Sequence, residues 1–169
     1  LELPEDKTAA GSTADYDGMP PSRYRLVDAR PEGDTVSIQA AVQTLLNAKR
    51  PVLLAGGGVV WGEGSKAAVQ LADLIGAALV TSYARNDALP NDHPRFLGAL
   101  GRAGAPEAVE AVQQADVLLA LGTRLAHMTG FFDYRYINPD TKIIQVEIDP
   151  NEIGRNYPIE VGILGDARA

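Results

Sequence analysis

Cysteine is absent from the 169 residues, which excludes disulfide frameworks, thiolate zinc sites, iron–sulfur clusters and a cysteine nucleophile. Histidine is scarce: His93 and His127 are the only two and stand far apart, so neither a His-rich metal centre nor a Ser–His–Asp arrangement has an evident source. No apolar run approaches the ~20 residues of a membrane helix, and no basic-then-apolar leader opens the chain. Lysine and arginine form no cluster, and the net charge is -7, which disfavours a nucleic-acid partner. Cytoplasm is the expected compartment, with no membrane association.

What is present is the material of one ordinary domain with a tail, 46% apolar and 22% charged. The acidity gathers at the front, where residues 1–36 hold 4 of the 15 basic and 8 of the 22 acidic side chains. Pro4, Pro20, Pro21 and Pro31 with scattered glycines give this stretch no apolar period beyond a short strand at Tyr24–Val27, so it reads as a linker or arm from a preceding domain. The chain is therefore expected to be a segment of a longer protein, with its folded domain over 37–169.

From Ser37, taken as the N-cap, apolar residues Ile38, Ala41, Val42, Leu45 and Leu46 recur at helical spacing. Val52–Ala55 reads as a strand buried on both faces, and Gly56-Gly57-Gly58 follow at once. A helix fits Gly64–Gly76, closed by Gly76. Ala78–Thr81 is the next strand. After a long loop, Pro106 opens a helix that runs to Asp116, then come strands Val117–Leu121, Ile143–Ile148 and Val161–Leu164. Strands separated by helices or long crossovers cannot be hairpins. The expected fold is α/β: an open, doubly wound, mostly parallel sheet of five to six strands flanked by helices, Rossmann-like and of the nucleotide-binding type.

Ligands of such sheets bind beyond the carboxyl ends of the strands. That places Gly56-Gly57-Gly58, Thr81-Ser82-Tyr83, Gly122-Thr123-Arg124 and Glu147-Ile148-Asp149 on one rim. Three glycines let backbone approach a pyrophosphate, or merely pack a helix on its strand; both readings stay open. The G-x-G-x-x-G fingerprint fails because Trp61 stands where a glycine or alanine belongs, and no acid ends the second strand, so an ordinary NAD dehydrogenase is disfavoured. Glu147 and Asp149 remain candidates for a ribose or adenine. Arg124 suits a phosphate or a ring, or an ion pair with Asp149 or Asp133. No catalytic residue and no metal ligand is assigned.

Four runs taken together carry a resemblance: Arg50–Gly58 (RPVLLAGGG), Ala120–Leu125 (ALGTRL), Lys142–Gly154 (KIIQVEIDPNEIG) and Gly162–Ala167 (GILGDA). In order and spacing, residues 38–169 resemble the central domain of thiamine-diphosphate enzymes, a family that includes acetolactate synthase, glyoxylate carboligase, oxalyl-CoA decarboxylase and sulfoacetaldehyde acetyltransferase. The resemblance implies a non-catalytic middle domain within an enzyme acting on 2-oxo acids or related small acids. Thiamine diphosphate and Mg²⁺ would be held by the flanking pyrimidine- and diphosphate-binding domains of the same chain; Gly165-Asp166 is followed by Ala167, so the diphosphate-binding G-D-G motif is missing here. It also implies a homo-oligomer, dimer or tetramer.

Middle domains of this family hold FAD or ADP, or nothing. By similarity the contacts would be Gly56, Gly57, Gly58, Thr81, Ser82, Leu97, Gly98, Gly101, Gly122, Thr123, Arg124, Glu147, Ile148, Asp149, Asp166 and Ala167. Flavin-binding members often show G-M-H-G where this chain has Gly98-Ala99-Leu100-Gly101, and the LGRAG and ALGTRL runs look more like the sulfoacetaldehyde acetyltransferase branch. The rival expectations are a self-contained NAD- or flavin-nucleotide-binding module and a purely structural interaction domain.

Overall fold

A computed structural model describes residues 30–169; the strand expected at Tyr24–Val27 lies outside them. Helix α1 spans Thr35–Leu46. Its cap is Asp34 rather than Ser37: the Asp34 carboxylate accepts the Ser37 N–H at 2.9 Å, so Ser37 already belongs to the first turn. Counting back from the first apolar periodic residue misplaced the start, because Val36 in that turn is 76% exposed and adds nothing to the buried stripe.

Strand β1 (Pro51–Ala55) is buried throughout. The glycine run beyond it is not a plain loop but the one-turn helix α2, Gly57–Trp61. Helix α3 (Ser65–Ile75) ends, as expected, on Gly76 in the left-handed region. Strand β2 (Ala78–Thr81), a 3₁₀ turn at Asn86–Ala88 and strand β3 (Phe96–Ala99) follow. Then come α4 (Pro106–Gln114), β4 (Val117–Leu121), α5 (His127–Gly130), β5 (Lys142–Glu147) and β6 (Val161–Leu164). Strand β3 lies inside the stretch expected to be a long loop. It is a four-residue edge strand containing a glycine, and its pairing with β2 shifts register between Leu79 and Thr81, so it carries little periodic signal.

The six strands pair in parallel in the order β3-β2-β1-β4-β5-β6, the doubly wound order in which the winding reverses between β1 and β4. Side chains alternate across the sheet. Leu53 and Ala55 join Ala41 and Leu45 of α1 and Ala68 and Ala72 of α3 on one face, whereas Val52 and Leu54 join Ala108 and Val112 of α4 on the other. With both faces covered, β1 and β4 must be apolar at every position, which is why their sequences do not alternate.

The opposite end of the sheet is braced by Asp116, whose carboxylate accepts the N–H groups of Lys49 (2.7 Å) and Arg50 (2.8 Å) and so ties the α1–β1 connection to the start of β4. Partial burial would push this carboxyl up, but the two backbone donors outweigh it and hold it below the ordinary aspartate range. The segment leading into α1 runs beside β6: Asp166 N–H donates to the Pro31 carbonyl (2.8 Å), and the Arg30 guanidinium reaches the Gly62 carbonyl (2.8 Å) and Asp166 (3.1 Å).

Candidate functional site

At the reversal point, backbone meets backbone. Gly58 N–H donates to the Gly122 carbonyl at 2.9 Å, and a Cβ on Gly58 would lie 2.6 Å from the Gly122 Cα. Gly122 itself has φ +58°. Gly56 is pressed equally hard, against Thr123 and the Gly122 carbonyl. Gly56 and Gly58 therefore serve the close approach of β1 and β4, while Gly57 faces outward, its Cβ position 3.7 Å or more from any neighbour. The two readings of the glycine run divide between its members.

Above this joint opens a cleft of about 680 Å³, within the size range of small-molecule sites. Of the residues expected on one rim, the cleft brings together Gly57 and Gly58 beyond β1, Ser82 beyond β2, Gly122, Thr123 and Arg124 beyond β4, Glu147 and Ile148 at the end of β5, and Asp166 and Ala167 beyond β6. Gly56 and the fully buried Thr81 lie behind the wall, Thr81 hydrogen-bonding Asn86 at 3.3 Å. Leu97 and Gly98 within β3, Gly101 just past it, and Asp149 also fall outside the lining.

The lining also includes Trp61, Tyr83, His127, Met128 and Thr129. Tyr83 closes one of the expected strand-end groups. The other four had no role in the expected site, because α5 is a single turn inside what reads as a featureless loop. The one signal for Trp61 was its misfit in the glycine fingerprint.

Electrostatically the cleft is simple. Among the described residues Arg124 has no carboxylate within 4 Å: Asp133 is held by Arg135 at 2.7 Å, and the Asp149 carboxylate accepts the N–H (2.9 Å) and the side-chain amide (3.0 Å) of Asn151. Those Asn151 bonds, backbone first, lower the Asp149 pKa, with Arg124 contributing as a more distant charge. Among the described residues, neither Asp149 nor Asp133 forms the expected alternative ion pair with Arg124. Glu147 Oε1 accepts the Ile148 N–H at 2.9 Å, and Asp166 is shared between Arg30 and the Arg168 N–H. His93 lies away from the cleft, 3.5 Å from Asp73.

Two buried polar side chains hold the walls. Gln145, 2% exposed, donates to the carbonyls of Thr123 (3.3 Å) and Glu152 (3.0 Å) and accepts the Gly154 N–H (2.8 Å). The single Tyr157 O–H is shared between the carbonyls of Gly130 (2.7 Å) and Asp133 (2.9 Å), fastening α5 to the segment beyond β5. Burial first, and the Asp133 charge second, push the Tyr157 phenol up to about 12.

Because the folded phenol ionises above the ordinary value of about 10, its contribution is complete below pH 10 and is lost as pH rises toward 12. Tyr157→Phe is expected to lower stability at pH 7 by about 1–2 kcal/mol and to flatten the alkaline fall between pH 10 and 12. Denaturant unfolding of both proteins across that range reads the difference, and equal slopes would contradict the assignment.

Among the described residues the cleft offers one cation without a carboxylate partner, Arg124, together with hydroxyls and exposed glycine backbone. No group of three His, Cys, Asp or Glu able to hold a metal ion occurs among the described residues. The Arg124 guanidinium, the hydroxyls and the exposed glycine backbone are hydrogen-bond donors of the kind that meet an anion. No helix among the described residues is long and apolar enough to cross a membrane.

Residues 38–169 match the family model described as the thiamine pyrophosphate enzyme central domain. A sulfoacetaldehyde acetyltransferase of Alcaligenes xylosoxydans is 45% identical over 142 residues, covering 83% of this chain and 24% of the relative. An acetolactate synthase of Mycobacterium leprae is 41% identical over 133 residues, covering 78% of this chain and 21% of the relative. The fold matches that of an X-ray structure from Mycobacterium smegmatis described as thiamin diphosphate-dependent, with a TM-score of 0.69 at 22% identity over 85% of this chain and 27% of the other. The chain spans about a quarter of the length of these curated relatives. On the match across 38–169 and the doubly wound parallel sheet that it describes, the chain belongs to the thiamine pyrophosphate enzyme central-domain family.

Proposed function

We propose that this chain is the non-catalytic central domain of a thiamine-diphosphate-dependent carboligase, decarboxylase or acyltransferase, and that its cleft holds a nucleotide, FAD or ADP. The observation that carries the nucleotide reading is the Arg124 guanidinium, unpaired among the described residues, beside the glycine joint of β1 and β4. The bond-making chemistry belongs to thiamine diphosphate, held with Mg²⁺ by flanking pyrimidine- and diphosphate-binding domains of the same cytoplasmic polypeptide. Leu97, Gly98 and Gly101, behind the wall, would act by shaping it; Asp149 would act from the rim.

Calorimetric titration with ADP, FAD and NAD tests the reading. Arg124→Ala is expected to weaken ADP or FAD binding by about 1.5–3 kcal/mol, the loss of a charge-assisted phosphate contact. Unchanged affinity would remove Arg124 from the site.

A second, compatible role is suggested by α1, where Val36, Ile38, Val42 and Leu46 are all substantially exposed, with Leu74 of α3 83% exposed. A lone domain rarely leaves such a stripe to water. The pattern favours contact with other parts of a larger homo-oligomeric enzyme, dimer or tetramer.

A further inference from the structure

Three of the exposed large apolar side chains border the cleft, and they come from three separate segments: Trp61 (78% exposed) at the end of α2, Tyr83 (37%) beyond β2 and Ile148 (57%) beyond β5. A single exposed aromatic residue needs no explanation. Three converging on one concave site describe an apolar rim around a polar floor, the usual make-up of a site for a ligand with both an apolar and a charged part.

Trp61 is the most exposed of the three, and its backbone is firmly set. The turn that follows it is stapled by Gly62 N–H to the Gly58 carbonyl (2.8 Å), Glu63 N–H to the Val60 carbonyl (3.1 Å) and Gly64 N–H to the Val59 carbonyl (2.8 Å). The indole Nε1 lies 3.8 Å from where a Cβ of Gly57 would stand, so the ring leans toward the outward-facing glycine. Nothing in the packing of α2 requires an indole here: the buried residue of that helix is Val59.

We propose that Trp61 is the ring-stacking residue of the cleft, receiving a flat heteroaromatic ring of a ligand whose phosphates are met by Arg124 and the glycine floor. This rests on the nucleotide reading above and adds how the ring is recognised. Stacking between an aromatic side chain and a base tolerates different bases, so Trp61 selects for the presence of a planar ring rather than for its edge.

The test uses the 169-residue chain, in which Trp61 is the only tryptophan, so that its indole emission reports this one side chain. ADP is titrated by calorimetry and by fluorescence in parallel, with pyrophosphate as the ring-free probe. The expected result is that ADP changes the emission with the calorimetric midpoint, whereas pyrophosphate does not. Trp61→Ala and Trp61→Leu should weaken ADP about tenfold, Trp61→Phe should recover most of that loss, and pyrophosphate binding should be the same in all four proteins.

ADP binding with unchanged emission and equal affinity in Trp61→Ala overturns the stacking role and leaves the nucleotide reading standing. A loss of ADP affinity that Leu restores as well as Phe, or an equal loss for pyrophosphate, makes Trp61 a packing residue and also overturns it. The absence of heat with both ADP and FAD overturns the two readings together.

Discussion

Gly122→Ala is expected to lower the unfolding free energy by about 2–5 kcal/mol, a large part of the 5–15 kcal/mol typical of a domain. Two costs combine. At φ +58° an L side chain pays about 1–2 kcal/mol for the left-handed conformation. The new methyl would also stand 2.6 Å from the Gly58 Cα and 2.9 Å from the Val59 nitrogen, where only backbone can yield, and overpacking of this kind costs about 1–3 kcal/mol. Gly76 supplies the control. Its φ is +69° and nothing lies within 4 Å of its Cβ position, so Gly76→Ala should incur the conformational cost alone, about 1–2 kcal/mol. Urea unfolding followed by circular dichroism separates the two. Equal losses would mean that the contact between Gly58 and Gly122 contributes nothing.

Gln145→Leu should be comparably severe, at about 3–5 kcal/mol, although it replaces a buried side chain with an apolar one of similar size. Three backbone groups lose their partners at once: the carbonyls of Thr123 and Glu152 and the N–H of Gly154. Thr123 and Glu152 are buried whereas Gly154 is exposed, so the two carbonyls carry most of the cost, at about 1–3 kcal/mol each. The damage should also reach the cleft, since Thr123 precedes Arg124 and Gln145 ties that segment to the one beyond β5. The expected signature is a lowered urea midpoint with faster amide exchange at Leu125 and Gly154. A change below 1 kcal/mol would show that Gln145 is replaceable filler.

The parallel sheet was legible in the sequence because its central strands are apolar at every position and are spaced by helices or long crossovers. Pro106 and Gly76 marked helix ends for local reasons that tertiary packing did not override. What escaped notice was short or defined only by distant contacts. Strand β3 exists because β2 offers it a partner, and α5 because Tyr157, some 27 residues further on, receives its last turn. The glycine run could be placed at a strand end from sequence, but not divided between packing and cleft, since that depends on Gly122 lying against Gly58.

The rim positions beyond β4 and β5 were readable from topology alone. Trp61 was not, since a mismatch to a pattern says what a residue fails to be. Gln145 gave no signal because a glutamine in a buried strand is identified only by the carbonyls that surround it.

The seam between β1 and β4 joins segments some 65 residues apart, with Leu54 opposite Ala120 and Ala55 opposite Leu121. Closing so long a loop is entropically expensive and contributes to a high contact order, which favours slow folding. The crevice floor cannot form ahead of this seam, so no local fragment can bind an occupant by that floor. Any guest that requires the completed floor draws on the cooperative native state as a whole, and by mass action it would raise the melting temperature of the entire domain rather than merely quieten one loop.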